Sequence, residues 1–446
     1  MGLRPALWIA LAMLAGCATV PAQPITSVRF AAAKLPKGVD RSNRDLAEDF
    51  LDLTFALESG EEIGGLLRYE APIRVHVTSP ELEPYRGDLE ELLARLRDEA
   101  GIDIALTEDA AEAQIAIEAV PAAEISRVYP TAACFIVPGE RGWKSFLRGR
   151  PDARLRWSAQ TELEGAAIFL PVDTTPQDVR DCLNEELTQA LGPANDLYRL
   201  PDSIWNDDNF HGIATSFDML MLRTLYRPEL KSGMSREQVA ARLPKLLDRT
   251  NPAGRGKPRQ ARNPESRAWG GAIETALSRS TPTGRRQDSA EIATQIAAEM
   301  RPVDHRLAVS LLTLGRLDLR RDPAAAARDF SEAYRLSRER FGVNDVRTAQ
   351  AGVHVAALAL GTGQYRAAVR LAELHVPAAQ AGQNAILIAG LLSIKAQALF
   401  ELGETEAAQE ARLDSLRWAR YGFGDSDGAL AREQAQIAAL MRLEDG

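Results

Sequence analysis

Two adjacent glutamates, Glu185 and Glu186, followed by Gln189, Asn195 and Asp196, are the residues of this 446-residue chain whose types and spacing come nearest to a reactive site. Carboxylates and amides at this density could hold a hard cation through oxygen, or pass a proton as general acid and base. Adjacent positions on a helix point about 100° apart, so Glu185 and Glu186 would not flank one bond as the paired carboxylates of a glycosidase do. The helix itself is well signalled, because Thr175 can cap it, Pro176 suits its first turn, Asp178 completes a capping box and Gly192-Pro193 ends it. On its wheel Val179, Cys182, Leu183 and Ala190 share one face with Glu186 at the middle. A carboxylate there must be paired, hydrogen-bonded or facing a cavity. Glu186 is therefore expected first as a buried carboxylate accepting hydrogen bonds from backbone or from Trp205, and second as a general base. His76 and His211 are the only histidines in this half of the chain, and His211 is a candidate to reach the same cleft.

The elements that must position these residues follow from the hydrophobic pattern. A helix is expected over Leu46 to Glu58 and another over Leu89 to Ala100. Strands are expected at Ile73 to Thr78, Ile115 to Val120, Ala133 to Val137 and Ala166 to Val172, which makes an α/β or α+β domain. The stretch from Leu247 to Arg267 turns basic and rich in Pro and Gly, and reads as a linker. Beyond it strand signals vanish. Asp322, Gly363 and Gly403 each separate two apolar helices, and Ala326, Ala367 and Ala407 follow them as small residues for close helix contacts, the pattern of a helical solenoid with a concave binding face. A further degenerate repeat is expected near Trp269.

Charge and cysteine usage narrow the function classes. The formal charge is -9 and the basic residues are scattered, which argues against a nucleic-acid partner. No Ser-His-Asp or Cys-His set, phosphate-binding glycine loop or dinucleotide fingerprint is present. Of three cysteines, Cys17 ends a short apolar leader that begins after Arg4, and Cys134 and Cys182 remain. The leader is too short to span a bilayer core, which needs about 20 apolar residues, and reads as a signal peptide. Outside the cytoplasm a Cys134–Cys182 disulfide is the expected state, since two thiols without a nearby histidine make a poor zinc site.

Leu14-Ala15-Gly16-Cys17 resembles the lipobox of bacterial lipoproteins, which implies lipidation at Cys17 and an anchor on the periplasmic face of the cell envelope. Ala18 in the next position favours the outer membrane by the same analogy. The run Glu185-Glu186-Leu187-Thr188-Gln189-Ala190-Leu191-Gly192-Pro193-Ala194-Asn195 resembles the metzincin zinc-protease motif with all three histidines replaced. Glu185, Gln189 and Asn195 stand at the ligand places, Glu186 at the general base and Gly192 at the turn. Ser203-Ile204-Trp205-Asn206-Asp207 resembles the methionine turn with Trp205 for methionine, and Ser216-Phe217-Asp218 through Leu225-Tyr226 resembles the signature that follows it. Glu, Gln and Asn cannot supply the imidazoles that zinc hydrolases use. The span from about Asp49 to Gln238 also resembles a bacterial family known as domain of unknown function 2927, through Cys182-x-x-Glu185-Glu186-Leu187-x-Gln189-Ala190-Leu191-Gly192, Ser203-Ile204-Trp205-Asn206-Asp207 and Leu225-Tyr226 leading to Gly233-Met234. The helical part resembles tetratricopeptide repeats of a longer period.

These observations give a signal peptide over 1–16, a lipidated cysteine and tether over 17–43, and an α+β domain over 44–246, zincin-like with a mixed sheet and a central motif helix. A linker over 247–266 and an all-α tetratricopeptide-like solenoid over 267–446 complete the chain. The expected function is that of a non-catalytic envelope lipoprotein without cofactor or metal, membrane-bound through its lipid and binding a protein or peptide through its repeats. The cleft candidates are Glu185, Glu186, Gln189, Asn195, Asp196, Trp205 and His211. Two other readings stand beside it: an active hydrolase with a non-histidine metal site or Glu186 as base, and a repeat scaffold with a purely structural N-terminal domain.

Overall fold

In the computed structural model, residues 28–424 are described except 34, 131, 150–154, 207–209 and 279. Cys17 and the leader lie outside the described residues, as does Asp207 of the turn motif. Among the described residues no helix is long and apolar enough to cross a membrane.

The N-terminal domain is built on a five-stranded mixed sheet. Its strands are β1 (Ile73–Val77), β2 (Ile104–Leu106), β3 (Ile115–Val120), β4 (Phe135–Pro138) and β5 (Ala166–Pro171), in the order β2-β1-β3-β5-β4. All neighbours are parallel except β4, which runs antiparallel to β5 at the edge. The β5 sequence is apolar without a break because both faces are covered. Ile168 and Leu170 point into the main core, while Ala167 and Phe169 point into a smaller aromatic core with Phe135, Trp143 and Phe146. The main core is covered by α1 (Asn43–Thr54), α2 (Arg86–Arg95), and, beyond the two short helices α3 (Ala122–Val128) and α4 (Trp143–Gly149) of the opposite face, by α5 (Pro176–Gln189), α6 (Ser216–Leu225), α7 (Arg236–Ala240) and α8 (Leu243–Thr250). The expected strands and long helices are all present, shifted by a few residues at their ends. The short elements β2, α3, α4 and α7 have too few residues to show a period in sequence.

The C-terminal part is entirely helical among its described residues. It stacks α9 (Arg267–Leu277) with α10 (Thr283–Glu299), α11 (His305–Asp318) with α12 (Pro323–Phe341), α13 (Val346–Gly361) with α14 (Tyr365–Ala381), and α15 (Ala385–Glu401) with α16 (Thr405–Phe423). Trp269 is buried in α9 and marks the additional pair. The alanines at close helix contacts are Ala326, Ala368 and Ala408; the expected Ala367 and Ala407 are only partly buried. The register counts from the residues that start the helices, Asp322, Gln364 and Glu404, and not from the turn glycines. A glycine at 315 is required by packing, since a Cβ there would lie 2.8 Å from the Phe330 ring.

The basic segment between the two parts lies along α1. Arg259 pairs with Asp45 at 3.2 Å and with Glu48; Arg262 pairs with Glu48 at 2.7 Å and with Asp49. Its charge thus has a use, holding otherwise free backbone against an acidic helix face. Residues before α1 are also docked: Phe30 packs on Trp418 at 4.7 Å between ring centroids, and the Val39 amide donates to Asn251 Oδ1 at 2.9 Å.

Cys134 and Cys182 form a disulfide across 48 positions with 6.0 Å between Cα atoms, tying the approach to edge strand β4 onto α5. Because β4 pairs on one side only, this link should matter for stability. Replacing both cysteines by alanine is expected to lower unfolding free energy by about 2–5 kcal/mol, read as a lower denaturant midpoint for the α/β domain. An unchanged midpoint would show that β4 is held without it.

Candidate functional site

The α5 helix is set as its sequence demands. Thr175 Oγ1 accepts from the Asp178 amide at 3.1 Å while Asp178 Oδ2 accepts from the Thr175 amide at 3.3 Å. After the helix, Gly192 has φ +135°, and a Cβ there would lie 2.5 Å from the Leu67 carbonyl oxygen, so no other residue fits. Val179, Cys182, Leu183 and Leu187 bury one face in the main core.

The adjacent face of α5, sharing Cys182 with the core face, forms one wall of a cavity of about 850 Å³. Asp178, Asp181, Glu185, Glu186 and Gln189 line it, with Asp196 from the loop that follows. The other wall comes from the first helix of successive pairs: Arg316 of α11, Gln350 and His354 of α13, and Ile386 and Gly390 of α15. Sequence alone could not show that the helical part closes over the motif helix.

The helical part is held there by its helix N-termini. Asp304 caps α11 and Asp345 caps α13; each also pairs with the arginine two positions on, at 2.8 Å to Arg306 and 2.7 Å to Arg347. Those guanidiniums then donate to backbone carbonyls outside the array, Arg306 to Pro264 at 3.1 Å and Arg347 to Pro201 at 2.6 Å. His305 meets the Tyr198 carbonyl at 2.6 Å. For α15 the Ala385 amide donates to Gln177 Oε1 at 3.0 Å, and Gln177 Nε2 donates to Asp181 and to the Gln383 carbonyl. Arg180 adds a bond to the Tyr421 carbonyl at 2.9 Å with its guanidinium 3.7 Å from the Tyr421 ring centroid. The repeated Asp-x-Arg at 304–306 and 345–347 is the sequence signal that could have revealed this docking.

The cleft candidates separate into two sets. Glu185, Glu186, Gln189 and Asp196 line the cavity, with Gln189 Nε2 donating to both Asp196 oxygens at 2.7 and 2.9 Å. Asn195, Trp205 and His211 do not line it. Asn195 turns to α1 and donates to the Asp52 carbonyl at 2.8 Å. Trp205 is fully buried and its indole N–H donates to Thr188 Oγ1 at 3.0 Å, so its partner is Thr188 and not Glu186. His211 Nε2 donates to the Pro201 carbonyl at 3.1 Å, and burial together with the nearby Arg347 pulls its pKa down to about 4, leaving a neutral ring. The hydroxyl of Ser203 and the amides of Ile204 and Thr215 all donate to Asp218, which fixes the turn after the motif. Among the described residues no group of three or more His, Cys, Asp or Glu is arranged to hold a metal ion.

Burial pushes the Asp181 carboxyl up to about 7, and its neighbour Asp178 adds repulsion. Its folded pKa lies above the unfolded value near 4, so ionisation costs stability progressively as pH rises from about 4 to 7. Asp181→Asn keeps an acceptor for Gln177 and removes that cost. Its melting temperature should exceed that of the native chain at pH 8, and the difference should vanish at pH 4. An equal difference at both values would place the effect in packing instead.

No curated protein and no solved structure matches the chain. Residues 43–245 match the model of the family described as Protein of unknown function (DUF2927), which spans the sheet, α5 and the helices up to α8. The chain thus carries, as its α/β half, a domain belonging to that family.

Proposed function

We propose that this protein is a non-catalytic envelope lipoprotein, anchored through a lipid on Cys17 at the periplasmic face, with the outer membrane favoured. In this reading the two parts of its chain form one binding body. The carrying observation is the cavity of about 850 Å³ whose walls come from both parts. A volume of that size falls within the roughly 300–1,000 Å³ of small-ligand sites. A purely structural N-terminal domain would have no reason to present its polar helix face to the inner helices.

The domain is proposed to be a degenerate zincin-like one, and the helical part a tetratricopeptide-like array that binds a peptide or protein segment. The former ligand places support this reading by how they are used. Gln189 is engaged with Asp196 at the cavity wall, Glu185 and Glu186 line the same cavity, and Asn195 faces α1 instead. Oxygen donors so arranged do not reproduce the imidazole set of a zinc hydrolase.

Two measurements test the proposal. Metabolic labelling with an alkyne fatty acid should tag the full chain, and Cys17→Ser should abolish both the label and membrane fractionation; a labelled Cys17→Ser protein would overturn the anchor. Elemental analysis and a peptidase assay on the same material should return no stoichiometric transition metal and no hydrolysis. Metal-dependent cleavage lost in Glu186→Gln would replace the binding reading by an enzymatic one.

A further inference from the structure

Among the described residues that line the cavity, Arg316 of α11 is the only cation, and no described carboxylate pairs with it. Arg306 and Arg347, on the same set of inner helices, are neutralised by their own N-cap aspartates. Arg316 is held differently, its Nε donating to His354 Nε2 at 3.2 Å, which requires His354 to carry its proton on Nδ1. The His354 ring is itself fixed, 3% exposed and stacked on Phe330 at 4.4 Å with 7° between planes. A guanidinium held through Nε by a rigid ring keeps its two terminal nitrogens as a planar fork, the geometry that matches a carboxylate in two hydrogen bonds. The side chain opens onto the cavity while protein encloses it, and burial alone lowers its pKa, with no carboxylate acting on it. An arginine retains its proton even so, which leaves a cation without a counter-ion.

The carboxylates that line the cavity are committed away from Arg316. Asp178 closes the capping box of α5, Asp181 accepts from Gln177 at 2.7 Å, and Glu274 accepts from the Tyr198 hydroxyl at 3.4 Å. Glu58, Glu185, Glu186 and Asp196 have partners as well. The immediate surroundings of Arg316 are uncharged, since burial and Arg316 itself both disfavour protonation of His354. Gln350, one helical turn before His354 on α13, lines the cavity with an amide that makes no hydrogen bond among the described residues. Val353, Ile386 and Leu387 continue that wall as apolar surface, and Phe135, Ile136 and Trp157 add more from the α/β domain. An amine or a metal cation would be repelled by Arg316, and a phosphate dianion would bring more negative charge than a single guanidinium neutralises. A monocarboxylate with an apolar body matches the charge one for one and buries its body on the apolar lining.

We propose that the cavity binds a small organic monocarboxylate, Arg316 receiving the carboxylate, the Gln350 amide adding a hydrogen bond and the apolar lining holding the body. This deepens the binding reading above and rests on it. Calorimetric titration of the mature chain in nonionic detergent with phenylbutyrate, phenylbutyramide, acetate and inorganic phosphate separates the possibilities. Phenylbutyrate should bind about tenfold or more tightly than its amide, as a charge-assisted pair implies. It should also bind about tenfold or more tightly than acetate, which has the same charge but almost no body to bury. In Arg316→Gln the acid and the amide should bind alike, through loss of affinity for the acid only, and Arg316→Lys should restore part of the preference. Absence of phenylbutyrate binding, acetate binding as tight as phenylbutyrate, or a parallel loss of acid and amide in a folded Arg316→Gln protein would overturn the proposal. Equal binding of acid and amide by the native chain, or phosphate binding tighter than phenylbutyrate, would also overturn it while leaving a ligand-binding cavity in place. Lipid labelling at Cys17 and the peptidase assay read out the underlying lipoprotein reading independently of all these outcomes.

Discussion

The cavity exists because the N-termini of α11, α13 and α15 are anchored to groups outside the helical array. A helix N-terminus carries unsatisfied N–H groups and a partial positive charge, and in α11 and α13 an aspartate cap answers both. That same aspartate orients an arginine whose free nitrogens reach Pro264 or Pro201. For α15 the cap is Asn384, and the next amide goes directly to Gln177 at the start of the motif helix. Three successive repeats are thereby held at fixed distance from one α/β domain. A stack of helix pairs, which can otherwise flex from repeat to repeat, is turned into a rigid wall.

This arrangement assigns the polar residues of the motif region to two kinds of work. Thr188, Asn195, Ser203, Asp218 and Trp205 bond inward and set the course of the chain after α5. Gly192 lets that chain pass against the Leu67 carbonyl. Glu185, Glu186, Gln189 and Asp196 face the helical wall instead. A pattern that resembles a catalytic motif is thus distributed between scaffold and cavity lining. Thr188, Glu185, Glu186 and Gln189 are sorted by their angular positions on α5, and Asn195 and Asp196 by the course of the chain after Gly192.

Charge is treated differently in the two places where acidic and basic residues gather. On α1, Asp45 and Asp49 are buried yet matched by Arg259, Arg262, Arg199 and Arg41, so the desolvated carboxylates are compensated and the connecting segment is fixed. In the cavity the acidic wall and Arg316 are on separate elements, and Arg316 has no carboxylate among the described residues. The compensated charge on α1 builds structure.

Much of this was legible in the chain. The Thr175 capping box, the unbroken apolar β5, the paired helices and the Cys134–Cys182 pair are local or compositional features, and each depends on neighbours in sequence or on compartment chemistry. The family resemblance lay in the Cys182 to Gly192 run and in Ser203-Ile204-Trp205-Asn206, and the family model spans 43–245. Short elements such as β2 and α4 were not legible, because three to seven residues carry no period. Nor was the fate of individual polar residues: the indole N–H of Trp205 donates to Thr188, 17 positions back in the chain, and not to Glu186. Sequence by itself determined which helix would carry carboxylates and that a helical array would follow it, since those are properties of short segments. Only tertiary structure decided that Arg316, more than a hundred positions away, faces those carboxylates across a cavity, because that placement is set by three docked helix ends whose partners lie on loops remote in sequence.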